Sequence, residues 1–211
     1  MAITLYGSTS TASLVVHWLL LELELPHTLV LLDFDAREHK SAGYLALNPA
    51  GVVPTLVIDD QVLTEAAAIA LHLADLHPQA GLLPAPGNAQ RGEAYRWMFW
   101  CANTVQPAYR AWFYPQEMAG PAHTEATRQH ARAKLEAAWQ QLADHLQAGG
   151  PYVLGEQLSV VDFMLVMLLR WSRNMPIASD TWPLLKAYAE RLKARPAFVE
   201  LYRREGITDW R

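Results

Sequence analysis

Apolar and polar positions fall into two regimes along the chain. In the first, short β-rich runs alternate with helical stripes. Ala2-Ile3-Thr4-Leu5-Tyr6 has the β-branched and aromatic content of a strand, and the small polar run Gly7-Ser8-Thr9-Ser10-Thr11 breaks it. From Ser13 onward Leu14, Val15, Trp18, Leu19 and Leu25 recur at helical spacing, and the stripe ends before Pro26. A second strand is predicted over 28–34. A short helical turn then runs through Tyr44, Leu45 and Leu47 until Asn48-Pro49 and Gly51 stop it. Pro54-Thr55-Leu56-Val57-Ile58 and Gln61-Val62-Leu63-Thr64 flank Asp59-Asp60, which reads as a tight antiparallel hairpin. A helix over 65–76 closes this part.

The order is therefore βαβ, a short helix, then ββα. A right-handed βαβ crossover makes its two strands parallel, and the hairpin adds an antiparallel pair. The expectation is a mixed four-stranded sheet flanked by helices, the thioredoxin-like arrangement, over residues 1–77. Pro78, Pro84, Pro86, Gly87 and Asn88 then mark a linker over 78–88. The second regime, 89–211, carries only helical periodicity, so the chain reads as an α/β N-terminal domain followed by an all-α domain. One long helix is predicted over 89–114, with Pro107 inside it implying a kink or break. Another over 123–147 places Leu135, Ala138, Trp139, Leu142 and Leu146 on one face. Ser159-Val160-Val161-Asp162 has the form of a capping box opening a third, with Leu158 and Phe163 placed as a hydrophobic staple. Two shorter helices follow, over 183–194 and 196–204.

Composition removes several function classes. With 52% hydrophobic and 18% charged residues among 211, the chain can fill its cores and is not disordered. A formal net charge of -4 without basic tracts argues against nucleic acid as a partner. Apolar runs are too short for a membrane helix, and the opening MAITLYG has no charged segment before an apolar stretch, so a cytoplasmic protein is expected. Cys101 is the single cysteine and excludes an internal disulfide. The eight histidines show no ligand spacing, so no metal is expected, and no Gly-x-Gly-x-x-Gly or Walker sequence is present.

Candidate chemistry gathers around the first sheet. Val53-Pro54 opens a strand of a central sheet, a place from which proline is normally excluded. A cis peptide would explain it. Such a turn leaves the Val53 N–H and C=O free to pair with an extended peptide ligand. Thr64-Glu65-Ala66 stands at a helix start, where unpaired amides and the dipole suit a ligand carboxylate and Glu65 can take an ammonium. The hydroxyls of Ser8 to Ser13 stand at another helix start, where a bound thiol would ionise more readily. Ordinary helix capping would also explain each helix start.

Taken in order, Tyr44-Leu45-Ala46-Leu47-Asn48-Pro49-Ala50-Gly51-Val52-Val53-Pro54-Thr55-Leu56, then Leu63-Thr64-Glu65-Ala66-Ala67-Ala68-Ile69, then a proline-rich linker and a helical region containing Ser159-Val160-Val161-Asp162, the chain resembles a cytosolic glutathione transferase of bacterial, theta- or beta-like type over nearly its whole length. The resemblance implies glutathione as co-substrate. Val53, ahead of Pro54, would pair with its cysteinyl part, Glu65 would receive the γ-glutamyl ammonium, and the amide of Ala66 would meet the α-carboxylate. Ala66 supplies no hydroxyl where family members often have serine. His39 and Lys40 fall where theta-like members meet the glycine carboxylate. Ala12 stands in place of the beta-class cysteine, so the thiol-activating group is sought among Ser10, Thr11 and Ser13, with Ser10 preferred. Tyr6 is read as packing or a wall of the site.

The resemblance also implies an interdomain pocket for a hydrophobic electrophile, lined by Tyr109, Trp112 and Tyr114, and a homodimer. Trp97 and Trp100 are assigned instead to a core or dimer face. The activity implied is conjugation of glutathione thiolate to hydrophobic electrophiles in detoxification. Alternatives are a ligand carrier with little turnover, or a glutathione-dependent isomerase, dehalogenase or peroxidase.

Overall fold

In the computed structural model, which describes residues 2–210, contacts divide the chain into two units, 2–83 with 193–209 and 84–192 with Trp210. The first unit holds a four-stranded sheet of order β2-β1-β3-β4, formed by β1 (Ile3–Gly7), β2 (Thr28–Leu31), β3 (Thr55–Ile58) and β4 (Gln61–Thr64). β1 runs parallel to β2 and antiparallel to β3, and β3 is antiparallel to β4. This is the mixed sheet expected of a βαβ unit joined to a hairpin. Along β1, Ile3, Leu5 and Gly7 are buried while Thr4 and Tyr6 on the opposite face are half-buried. β2 is shorter than the predicted 28–34. The Asp33 carboxylate accepts the amides of Asp35 and Ala36 at 2.8 and 2.9 Å, and this local alternative to the strand ladder turns the chain.

α1 (Ser13–Glu22) is buried continuously from Ser13 to Leu20, and lies against β1, α3 (Ala66–Leu76) and α10 (Pro196–Glu205). Its apolar stripe alone did not foretell this. The second covered face comes from α10, far away in sequence. Phe198 meets Trp18 edge-on at 4.9 Å, the Arg195 guanidinium is paired with Glu22, and His17 Nδ1 lies 2.8 Å from Glu205 Oε1 with both side chains wholly buried. α2 (Ala42–Leu47) is the short helix stopped at Asn48.

The second unit is helical: α4 (Ala89–Trp100), α5 (Gln106–Phe113), α6 (Pro115–Ala119), α7 (Thr124–Gly149), α8 (Val160–Trp171) and nearly all of α9 (Pro183–Lys193). The predicted long helix is interrupted just before Pro107. A π-helical turn, Cys101–Val105, joins α4 to α5. Pro107 has no amide for the carbonyl of Asn103 and its ring crowds that carbonyl, so a widened turn accommodates both. α8 opens with the capping box: the Ser159 amide and hydroxyl donate to Asp162 Oδ2 at 2.7 and 2.8 Å. The Val153 amide and the Tyr188 hydroxyl donate to Oδ1 at 2.9 and 2.8 Å. Burial pushes the Asp162 carboxyl up, and these donors pull it back. Among the described residues no helix is long and apolar enough to cross a membrane.

Candidate functional site

Strand register brings the candidate segments of the first unit to one end of its sheet. Tyr6 is opposite Thr55, Thr55 is opposite Thr64, and Gly7 is beside Leu31. The loop after β1, the approach to β3, the turn after β4 and the segment after β2 therefore all leave or enter at this end.

The approach to β3 carries a cis Val53-Pro54 peptide. Among the described residues, neither the N–H nor the C=O of Val53 has a hydrogen-bond partner. The three preceding carbonyls are held. Lys40 Nζ donates to Gly51 at 2.8 Å and to Ala50 at 3.3 Å, while the Tyr44 hydroxyl and Asn48 Nδ2 donate to Val52 at 2.6 and 2.8 Å. Gly51 stands at φ 59°, and a Cβ there would lie 2.7 Å from Lys40 Nζ. Glycine suits the turn by its positive φ, and a Cβ would also lie 2.9 Å from the His39 carbonyl oxygen.

Glu65 occupies φ 67°, ψ 109°, strained backbone for a side chain of this kind, immediately before α3. Its exposed carboxylate has no partner among the described residues. The first intrahelical bond runs from the Ile69 amide to the Glu65 carbonyl, which leaves the amides of Ala66, Ala67 and Ala68 open at the positive end of the helix. An unpaired carboxylate beside open amides suits a zwitterionic amino-acid end group.

The hydroxyl-rich loop sorts its own candidates. Thr11 Oγ1 donates to the Ser8 carbonyl at 2.6 Å, Ser13 Oγ donates to the same carbonyl at 3.1 Å and accepts the Ser8 amide, and the two hydroxyls are 2.9 Å apart. Both serve the turn. Gly7 makes room, since a Cβ there would stand 2.6 Å from Ser13 Oγ. Ser10, half-buried at φ 65°, has no hydrogen-bond partner for its hydroxyl among the described residues. Ala12, at the start of α1, offers no side-chain cap.

His39 and Lys40 lie in a 3-10 turn, Glu38–Lys40. The His39 ring stacks on Phe34 at 4.2 Å. Partial removal from water, with the positive charges of Lys40 and Arg37, holds its pKa below the usual histidine value. The sequence pattern does not reveal this partner, because it places Phe34 in a strand over 28–34 whereas β2 ends at Leu31.

The predicted pocket aromatics divide. Tyr109 is a correction: it is fully buried, donates its hydroxyl to the Leu168 carbonyl at 2.7 Å, and packs against Phe113, Trp139 and Trp171, so it belongs to the core of the second unit. Helical spacing of aromatics does not distinguish a core from a ligand wall. Trp112 is half-buried, and exposed Tyr114 lies under the Arg110 guanidinium at 4.4 Å. Trp97 is buried, in keeping with its assignment to a core. Cys101 is also buried, and burial pushes its thiol well up.

A thioredoxin-like unit with an open-ended strand approach and a helical unit following it define the glutathione S-transferase class. The family model described as "Glutathione S-transferase, N-terminal domain" matches residues 9–76, and "Glutathione S-transferase, C-terminal domain" matches residues 125–191. The chain is 31% identical to "Glutathione S-transferase GST-4.5" of Xanthomonas campestris pv. campestris, over 96% of this chain and 98% of that one. It is similar to the solved structure of a glutathione transferase from Methylococcus capsulatus, with a TM-score of 0.88, 33% identity, and 98% and 100% of the two chains covered. A ternary complex of BphK, a bacterial GST, gives a TM-score of 0.86 at 34% identity, covering 97% and 100%. The chain belongs to the glutathione S-transferase family.

Proposed function

We propose that the first unit binds glutathione through Val53 and Glu65, and that a hydroxyl at Ser10 favours its thiolate for attack on a hydrophobic electrophile. The observation that carries the reading is the pairing of an open Val53 N–H and C=O with an unpaired Glu65 carboxylate and open α3 amides at the same sheet end. The cysteinyl backbone adds to Val53 as a short antiparallel strand. The γ-glutamyl ammonium meets Glu65, and its α-carboxylate takes the amides of Ala66 and its neighbours. His39 and Lys40 meet the glycine carboxylate.

A free cysteine thiol has a pKa of about 8.5. The unpartnered Ser10 hydroxyl and the positive end of α1 stabilise the thiolate and lower that value. The thiol proton leaves to solvent, the thiolate sulfur forms the new C–S bond, and in a substitution the leaving group departs with its electron pair. The nucleophile belongs to the ligand, so the protein's part is positioning and ionisation. The reading extends to a homodimer acting in the cytoplasm, with Trp112 and Tyr114 against the apolar substrate.

The test combines calorimetric titration with glutathione and conjugation of a model aryl halide, on wild type, Ser10→Ala, Thr11→Ala and Ser13→Ala. Binding with a large loss of turnover in Ser10→Ala alone supports the mechanism. Unchanged turnover in all three variants removes the hydroxyl from it, and binding without turnover in wild type points to a carrier.

A further inference from the structure

Three buried side chains and the Val52 carbonyl close a hydrogen-bonded ring next to the open Val53 amide. Tyr44, Asn48 and Thr55 are 4%, 3% and 0% exposed. Tyr44 spends its single proton on the Val52 carbonyl at 2.6 Å, so at the 2.8 Å contact between the two hydroxyls it is Thr55 that donates. Asn48 Nδ2 has two protons, and gives one to the Val52 carbonyl at 2.8 Å and the other to Thr55 Oγ1 at 3.1 Å. Asn48 Oδ1 accepts the Ala50 amide at 3.1 Å. Every donor proton of the ring is used, and two of them converge on one carbonyl.

That carbonyl shares a rigid plane with the amide of the next residue. The C=O of Val52 and the N–H of Val53 are the two ends of a single peptide unit and cannot turn independently. Two donors fixed on Val52 O thereby fix the direction of Val53 N–H, the group left open toward a ligand. A solvent-exposed loop would satisfy the same carbonyl with water and leave the plane free to rock.

We infer that Tyr44, Asn48 and Thr55 are positioning residues for glutathione, acting through the Val52-Val53 peptide plane. The inference rests on the reading that Val53 pairs with glutathione. Preorganising the plane removes an ordering cost from binding and touches no reacting atom. Its loss therefore weakens ground-state and transition-state complexes alike, and appears in the KM for glutathione and not in kcat.

The experiment uses the whole protein as wild type, Tyr44→Phe, Thr55→Val and Thr55→Ser. Glutathione affinity is measured by calorimetry, and kcat and both KM values by aryl-halide conjugation. Tyr44→Phe and Thr55→Val are expected to weaken glutathione binding roughly three- to tenfold, the scale of one net hydrogen bond. In these variants kcat at saturating glutathione and the KM for the aryl halide stay within about twofold. Thr55→Ser, which keeps the hydroxyl, is expected to bind like wild type. A role confined to stability predicts lower melting temperatures with unchanged affinity, and that result overturns the inference, as does a fall in kcat at constant KM. If Tyr44→Phe does not fold, the Thr55→Val and Thr55→Ser pair decides. Wild type that fails to bind glutathione removes the binding reading itself, whereas wild type that binds beside variants that bind equally well removes only the positioning role.

Discussion

Ser10 and Ser13 are separated by two residues, yet among the described residues only the Ser13 hydroxyl is held. Ser13 Oγ ties the Ser8 amide and carbonyl to the first turn of α1, so Ser13→Ala is expected to cost about 1–2 kcal/mol of stability, read from a urea midpoint. Ser10→Ala removes no bond to the described residues and should leave that midpoint unchanged while conjugation slows. His39 offers a pH signature. Its pKa is held below the ordinary value near 6.5, so the ring is neutral at pH 7 and contributes stability that is lost as pH falls through the lowered value. A glutathione carboxylate beside the ring favours the charged form, so an NMR titration should show the His39 pKa rising when glutathione is added. No rise would remove His39 from the ligand contacts. The sequence already placed hydroxyls at the start of α1. It could not say which were occupied, because that depends on where the Ser8 carbonyl turns.

At the scale of elements, local grammar was legible and distant covering was not. The hairpin at Asp59-Asp60, the stop at Asn48-Pro49 and the capping box at Ser159 each arise from residues within a few positions of one another. Pro107 announced an obstruction, but its resolution as the π turn Cys101–Val105 depends on how the following helix packs. Tyr109 is illegible from local spacing for the same reason: its place is decided by Trp139, Trp171 and the Leu168 carbonyl, all remote in sequence. The Asn48 side chain read only as a helix stop, whereas its partners Val52 and Thr55 make it part of the β3 approach. The Ser159 box has grown beyond a cap, since Asp162 also holds Val153 and Tyr188. Asp162→Asn would replace an acceptor oxygen by a donor among four donors. A loss of roughly 2–4 kcal/mol is expected in denaturant unfolding, with glutathione affinity retained in the fraction that folds.

At the scale of the whole molecule, Cys101 reports on the second unit. Buried, and with its thiol pushed well up, it should resist aromatic disulfide reagents in the native protein and react at a rate that follows unfolding. Fast labelling of native protein would contradict its burial. The first unit has a different dependence. Its α1 is covered on one side by residues made almost two hundred positions later: Phe198 on Trp18, Glu205 on His17, Arg195 on Glu22. A fragment of residues 1–83 is therefore expected to gain ordered structure, by circular dichroism, only when a 193–209 peptide is supplied. During synthesis the order of emergence and the order of completion are then reversed. The sheet that leaves the ribosome first must wait with Trp18 and His17 uncovered until α10 has been made, while the helices between them can already pack. Throughout that interval the half-covered α1 leaves apolar surface open to association with other chains.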